Sequence, residues 1–365
     1  MRFIESVNFD WFDCICSTPR AARRLMFPGS SRDYGWGQSL RLINVESFTA
    51  RTLKIGIFLP SNPTGPGVTH SYRARSFLTC LLLAVLVGPL SSAFAGEEKE
   101  ADERERVDTE FIFGFTTGAD TGEVGEHELE HQTAAQWGKR DGRYGAVTDQ
   151  LRYETSPEQN FRFEIGAPIA YYNISGVPGL DDRNQGSLNG LVAEFKYRLF
   201  DRDHAPFGLM VSVEPHWNRT DEISGARIDG YGGEITLVLE KELLKDRLFA
   251  AVNFVYDPEI ARSQGQWQRE SMLGFSASVT TQVKPGVFIG GEARYLRRYD
   301  GVDLDSLAGQ ALFLGPNFLV RLSNSLSISG AWSVQVAGHA TAVPCALDLT
   351  TFARQQALFR VEYKF

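Results

Sequence analysis

The sequence predicts an all-β fold, a transmembrane antiparallel β-barrel of about twelve strands over residues 125–365. Three observations predict it. From about residue 125 the chain alternates apolar and polar residues at period two, in segment after segment. The segments run for roughly ten to fifteen residues, enough for a tilted strand to cross hydrocarbon. The connections between them alternate short and long, an asymmetry that a membrane imposes and a soluble sandwich does not.

The elements before the barrel come first. Residues 1–67 show no sustained helical or strand period and are expected to be a misassigned or disordered leader. Val68, five residues before Arg73, is a candidate start codon. Over 68–95, Arg73 and Arg75 precede an apolar run from Phe77 to Val87, followed by Gly88, Pro89 and Ala93-Phe94-Ala95. That order is a secretory signal with cleavage set by Ala93 and Ala95. The uninterrupted run is shorter than the roughly 20 residues of a membrane helix. Cys80 lies inside the run, so lipidation is not expected.

Beyond residue 95 the chain holds 27 basic and 40 acidic residues, a net charge of about −13, which argues against nucleic acid as a partner. Only Cys345 falls in this part, so its fold is not expected to rest on a framework of disulfides or a Cys-based zinc site. Residues 96–106, GEEKEADERER, read as a solvated periplasmic tail within a non-spanning stretch that ends at residue 124.

The strands follow in order. In 161–171, Phe161, Phe163, Ile165, Ala167, Ile169 and Tyr171 share one face, opposite Arg162 and Glu164. Leu191, Ala193, Phe195, Tyr197 and Leu199 stand opposite Glu194, Lys196 and Arg198. Phe207 to Trp217 alternates against Ser212, Glu214, His216 and Asn218, and Tyr231 to Leu239 against Glu234. Further strands are expected over 248–256, 273–279, 287–295, 310–322, 325–337 and 353–365. Short turns are expected at 156–159, 201–206, 242–247, 283–286 and 323–325, and long loops at 175–187, 219–230, 257–270, 299–309 and 337–352. Glu110–Gly118, EFIFGFTTG, has strand character, but counting it would make the strand number odd. It is expected to be a periplasmic or lumenal piece. Pro215 and Pro316 depart from strand preference because proline removes a ladder donor.

The chain ends Phe359, Val361, Tyr363, Phe365 at every second position, with charged residues between. This is similar to the C-terminal assembly signal of Gram-negative outer-membrane barrel proteins. The resemblance implies location in the outer membrane, contact with its lipid, and insertion by the barrel-assembly machinery through the last strand. Across 125–365 the texture also resembles porin-like, uncharacterised proteobacterial barrels near the phenol-degradation MetA-pathway type. That likeness carries no residue roles.

Three chemical constellations compete with the barrel reading. HELEH at 127–131 fits the zinc signature H-E-x-x-H, but the chemistry needs a helix; on a strand the two imidazoles stand roughly 13 Å apart. His216 and Ser212 are hydrolase candidates, likewise four residues apart on one strand. GADTGE at 118–123 and the LDDR of the 175–187 loop are acidic enough to suggest calcium, yet such loops are ordinarily just solvated. No metal, cofactor or catalytic residue is therefore expected. The polar face remains: Arg162, Glu164, Glu194, Lys196, Arg198, Glu214, His216, Glu234, Glu292, Arg294, Arg321 and Arg360 are expected to line a lumen. The expected function is passive or facilitated passage of a small solute. A poreless structural or surface-interaction barrel is the alternative, and an outer-membrane hydrolase the third.

Overall fold

The computed structural model describes residues 106–365 apart from 342 and 344. The predicted leader, the signal segment with Ala93 and Ala95, and the tail as far as residue 105 lie outside the described residues. Thirteen strand segments follow: β1 (His127–Trp137), β2 (Arg143–Glu158), β3 (Phe161–Ser175), β4 (Arg183–Leu188), β5 (Gly190–Phe200), β6 (Gly208–Thr220), β7 (Arg227–Leu244), β8 (Leu248–Ser263), β9 (Gln266–Lys284), β10 (Val287–Asp300), β11 (Ser306–Arg321), β12 (Leu326–Ala340) and β13 (Gln355–Lys364). Neighbours pair antiparallel, and β13 pairs with both β12 and β1, so the sheet closes. A closed sheet has no edge whose amide groups would stand unpaired in hydrocarbon.

β4 and β5 both pair with β3, β4 along its outer half and β5 along its inner half, so the two share one position. Thirteen segments thus make a twelve-strand barrel. The break between them has a local cause: it faces Pro168, which has no N–H to give, and Asn189 N donates to Pro168 O at 2.7 Å. Gly190 adopts φ 105°, and a Cβ there would stand 1.7 Å from the Trp217 carbonyl oxygen, so only glycine fits. Pro215 and Pro316 are accommodated in the same way. Each faces a glycine on one side, Gly233 and Gly291, and a gap in the ladder on the other.

Period two sorts the faces. Leu151, Ile165, Ile169, Leu191, Ile235 and Ile289 are all more than 40% exposed on the outer surface, while Arg152, Glu164, Ser212, Thr236 and Ser278 turn inward. Outward aromatic residues gather toward both rims: Tyr153, Tyr197, Phe200 and Tyr363 on the periplasmic side, and Tyr171 and Tyr231 on the other. A belt of apolar side chains flanked by aromatic girdles is the surface of a protein dissolved in lipid. The chain is an outer-membrane β-barrel.

The long connections are shorter than the sequence predicts. The expected 257–270 loop is a two-residue hairpin, Gln264-Gly265, both with positive φ, between β8 and β9. β7, β10 and β11 likewise continue into the expected loops 219–230 and 299–309, and β4 begins inside the expected loop 175–187. β7 and β9 reach 18 and 19 residues, beyond the roughly 9–11 that a crossing requires. Past the lipid both faces of a strand are wet, so the alternation that reveals a strand vanishes although the ladder continues.

Glu110–Gly118 adds no strand. It threads the lumen at the periplasmic end, where Phe111, Ile112 and Phe113 pack against Phe249, Phe288 and Leu319. Side chains of the wall replace the missing ladder. Thr280 Oγ1 donates to Ile112 O (3.1 Å), Asn317 Nδ2 to Phe113 O (3.1 Å) and Arg360 Nη1 to Gly114 O (2.8 Å). In return the N–H groups of Phe115 and Thr116 donate to Glu292 at 3.1 Å, and that of Ala119 to Glu240 at 2.6 Å. Buried backbone polar groups need partners, and here the barrel interior supplies them.

Candidate functional site in the charged lumen

Strand register decides the lumen's electrostatics. Glu128 pairs with Glu154, Glu154 with Glu164, Glu164 with Glu194, and Glu214 with Glu234. The registers of β5 with β6 and of β7 with β8 continue the line from Glu194 to Glu214 and from Glu234 to Asp257. One row of carboxylates therefore crosses seven strands. Like charges facing each other across strands repel, so such a row persists only with cations set into it.

Those cations are Lys364, Arg162, Lys196 and Arg152. Arg162, fully buried, contacts Glu154 (2.7 Å), Glu128 (2.8 Å), Glu110 (3.1 Å) and Glu126 (3.3 Å). Lys196 joins Glu110 (2.6 Å) to Glu164. Arg152 reaches Glu214 (2.8 Å), Glu164 (3.0 Å) and Glu194 (3.1 Å), and Lys364 bridges Asp108 and Glu128, both at 2.8 Å. Glu110 comes from the plug, so the inner segment is part of the network. A second anchor holds its other end: Asp120 receives Arg106 (2.6 Å), Arg202 (2.7 Å) and Arg198 (3.1 Å), and Arg202 also reaches Glu240 (2.8 Å).

Every residue proposed from sequence for the lumen faces inward, though not all meet. Arg162, Glu164, Glu194, Lys196 and Glu214 share the network just described. Arg198 is drawn to Asp120, and Arg321 Nη2 donates to the carbonyl of Asp108 (3.0 Å). Arg360 lies 3.4 Å from Glu130. Glu292 and Arg294 stand together on β10 beside the plug, 3.9 Å apart. His216 is apart from these, 3.6 Å from Glu259 and 4.0 Å from Asp257. Sequence reasoning missed Glu110, Asp120, Arg152 and Arg202. Arg152 carried a signal, sitting between outward Leu151 and Tyr153; Arg202 lies in a turn and Glu110 outside any strand, where period two says nothing.

Outward, Phe359 and Tyr363 face lipid on β13 with Val361 half-buried between them, and the exposed Phe365 follows the strand. HELEH is on β1, with Glu128 and Glu130 inward and both imidazoles outward, His127 stacked near Tyr153 and Phe365. Its two histidines cannot meet on one ion. Glu110, Glu154 and Glu164 bring oxygens within 4.8 Å of one another, but Arg162 and Lys196 already supply the positive charge there. Asp120 is likewise taken by arginines, and Asp182 accepts from Gly176 N at 2.7 Å.

Above the plug the lumen opens into a cavity of about 410 Å³. Phe111 and Phe115 form its floor, Glu194, Glu214 and Glu234 one wall, Arg294 and Arg298 another, and Ile223 and Phe352 of the extracellular loops its roof. A recess of about 220 Å³ adjoins it beside His216, Asp257 and Glu259. Lys139 Nζ ties down residues 350 and 351 by donating to Thr350 O (3.0 Å) and Thr351 O (3.1 Å).

Comparison with known proteins adds the following. The family model described as a family of unknown function, DUF6662, matches residues 105–365. No curated protein matches the sequence. Among solved structures, the chain is similar to the COG4313 outer membrane channel from Pseudomonas putida F1, at 12% identity and TM-score 0.48, covering 68% of this chain and 98% of that one. It is also similar to the translocator domain of autotransporter NalP from Neisseria meningitidis (13%, 0.46, 68% and 91%) and to the KdgM porin in complex with disordered oligogalacturonate (10%, 0.39, 65% and 99%).

Proposed function

Because the chain belongs to DUF6662, a family of unknown function, its activity must be read from its own lumen, and we propose passive or facilitated passage of a small solute across the outer membrane. The observation that carries this reading is the polar cavity between plug and loops, lined by charges of both signs. A barrel serving only as a scaffold has no need of such a space. A solute arriving from outside sheds part of its water against fixed charges. It then meets residues 106–121, which fill the inner half of the lumen. Passage requires that segment to shift, which means opening its ion-pair anchors at Glu110 and Asp120.

A hydrolase is disfavoured by the placement of its candidates: His216 turns to Glu259 and Asp257 and makes no hydrogen bond with Ser212 among the described residues. The test of the channel reading is planar-bilayer conductance of the protein, repeated with Glu214→Ala and with Asp120→Asn. Discrete small steps are expected, with cation preference weakened in the first variant and open time lengthened in the second. Silence of a heat-modifiable barrel in all three would sink the reading in favour of a poreless barrel.

A further inference from the structure

Inside the barrel Arg152, Arg162, Arg198 and Arg202 all meet carboxylates, but a group of arginines on the outer surface does not. On four strands the outward apolar column gives way to arginine at its extracellular end. Arg219 follows Trp217 on β6, Arg262 follows Ile260 on β8 and Arg297 follows Tyr295 on β10, while on β9 Arg269 lies on the extracellular side of Leu273. None of these four side chains has a carboxylate oxygen within 4 Å or donates a hydrogen bond among the described residues, and Nε of Arg297 is buried without a partner. The columns of β3, β4 and β11 end on neutral groups instead, Asn173, Asn184 and Gln310, so this is not a general property of the rim.

Aromatic faces hold three of the guanidinium groups: Arg219 lies over Trp217 (5.7 Å to the centroid), Arg262 over Trp267 (5.9 Å) and Arg297 over Tyr299 (5.1 Å). Opposite Arg262 on β7 stands Asp229, but that carboxylate accepts from Trp217 Nε1 (2.8 Å) instead. Register sets the spacing. Arg262 pairs with Trp267, two residues from Arg269, so the two arginines are diagonal neighbours roughly 7–8 Å apart. Arg297 pairs with Leu273, four residues from Arg269, which is about 13 Å along β9. A guanidinium presents five donors in a planar fork that matches a phosphate, and stacking pre-sets that plane. At the edge of the hydrocarbon an unpaired charge is costly, and this chain brings no acid to these arginines. A lipid phosphate is the anion that the membrane itself places at that height.

We propose that the outward face of β8, β9 and β10 holds the headgroup of an outer-leaflet lipid carrying two phosphates, one shared by Arg262 and Arg269 and the other at Arg297, with its acyl chains against Phe254, Ile260 and Leu273. Phe254 and Ile260 are exposed on the lipid side directly below Arg262. Arg219, two strands from Arg262, adds positive charge at the flank. The inference rests on the barrel's place in the outer membrane and is independent of whether the lumen conducts. Spacing separates it from diffuse attraction, because a lipid with a single phosphate can occupy one of the two positions but not both.

The test titrates the protein, extracted from membranes and freed of lipid in detergent, with three probes that share acyl chains: lipid A with two phosphates, its one-phosphate form and its fully dephosphorylated form. The two-phosphate form should bind at least about tenfold more tightly than the dephosphorylated one, the effect of a charge-assisted contact, with the one-phosphate form between them. The double variant Arg262→Gln/Arg269→Gln should erase that preference while leaving the dephosphorylated form bound as before, and Arg297→Gln alone should reduce the preference several-fold. Arg140→Gln removes the same charge from an exposed turn and should change nothing. Each variant is checked for heat-modifiability, and all three substituted side chains of the patch lie outside the lumen and its network. Equal binding of the three probes, an equal loss with Arg140→Gln, or displacement of the lipid by inorganic phosphate at matching concentration would overturn the proposal.

Discussion

Arg162 shows what one residue does in this lumen. Its guanidinium is within 3.3 Å of four carboxylates and is sealed from water, so removing it leaves buried Glu154 with no cation and Glu110, Glu126 and Glu128 with only Lys196 and Lys364 against their mutual repulsion. Loss of one partner from a buried pair typically costs about 3–5 kcal/mol. Arg162→Ala is therefore expected to lower stability by about that amount, read as the urea midpoint of the micelle-folded barrel. Replacing Arg140, whose partner is exposed Asp141, should change little. Comparable losses in both variants would mean the network is not the element of stability described here.

At the scale of the element, the plug is held by charge and hence by pH. Glu110 faces Arg162 and Lys196, with Glu164 and Asp108 close by. Burial outweighs the two cations and lifts its carboxyl to about 7. The docked plug thus takes up protons that a free one does not. The docking contributed by Glu110 is complete below its ordinary value of 4.5 and fades as the pH rises through about 7. Open events should become rarer as a bilayer is acidified from pH 8 to pH 5, and Glu110→Gln should flatten that response. An open probability that rises on acidification would contradict it.

For the whole molecule, closure is the decisive step, and β13 makes it by pairing with β1 from Glu128↔Lys364 to Trp137↔Gln355. Phe365 lies just past that seam, joined to it by its backbone N–H to His127 O (2.9 Å), with its ring facing lipid. Deleting Phe365 is expected to cut the amount of barrel delivered to the outer membrane several-fold while leaving the heat-modifiability of refolded protein almost unchanged. Equal loss in both assays would make the residue structural and remove its role in delivery. Much of the architecture could be read without coordinates. Period two fixes which side chains face lipid and which face the lumen, because alternation follows from backbone geometry alone, and it placed Arg162, Glu164, Lys196 and Arg294 inward. It also read HELEH as a strand, whereas Glu110–Gly118, itself of strand character, was kept out of the wall only by the even strand number. Register escapes it, since a shift of two residues keeps every face and changes every neighbour. Only the folded barrel lines six glutamates and an aspartate into one row and sets four cations into it. Period two ends where lipid ends, so the strand extensions were invisible as well. The sequence by itself determined the barrel and the sign of its faces, which are local properties of the chain; the tertiary structure alone decided which charges meet, because that depends on pairing between strands far apart in sequence.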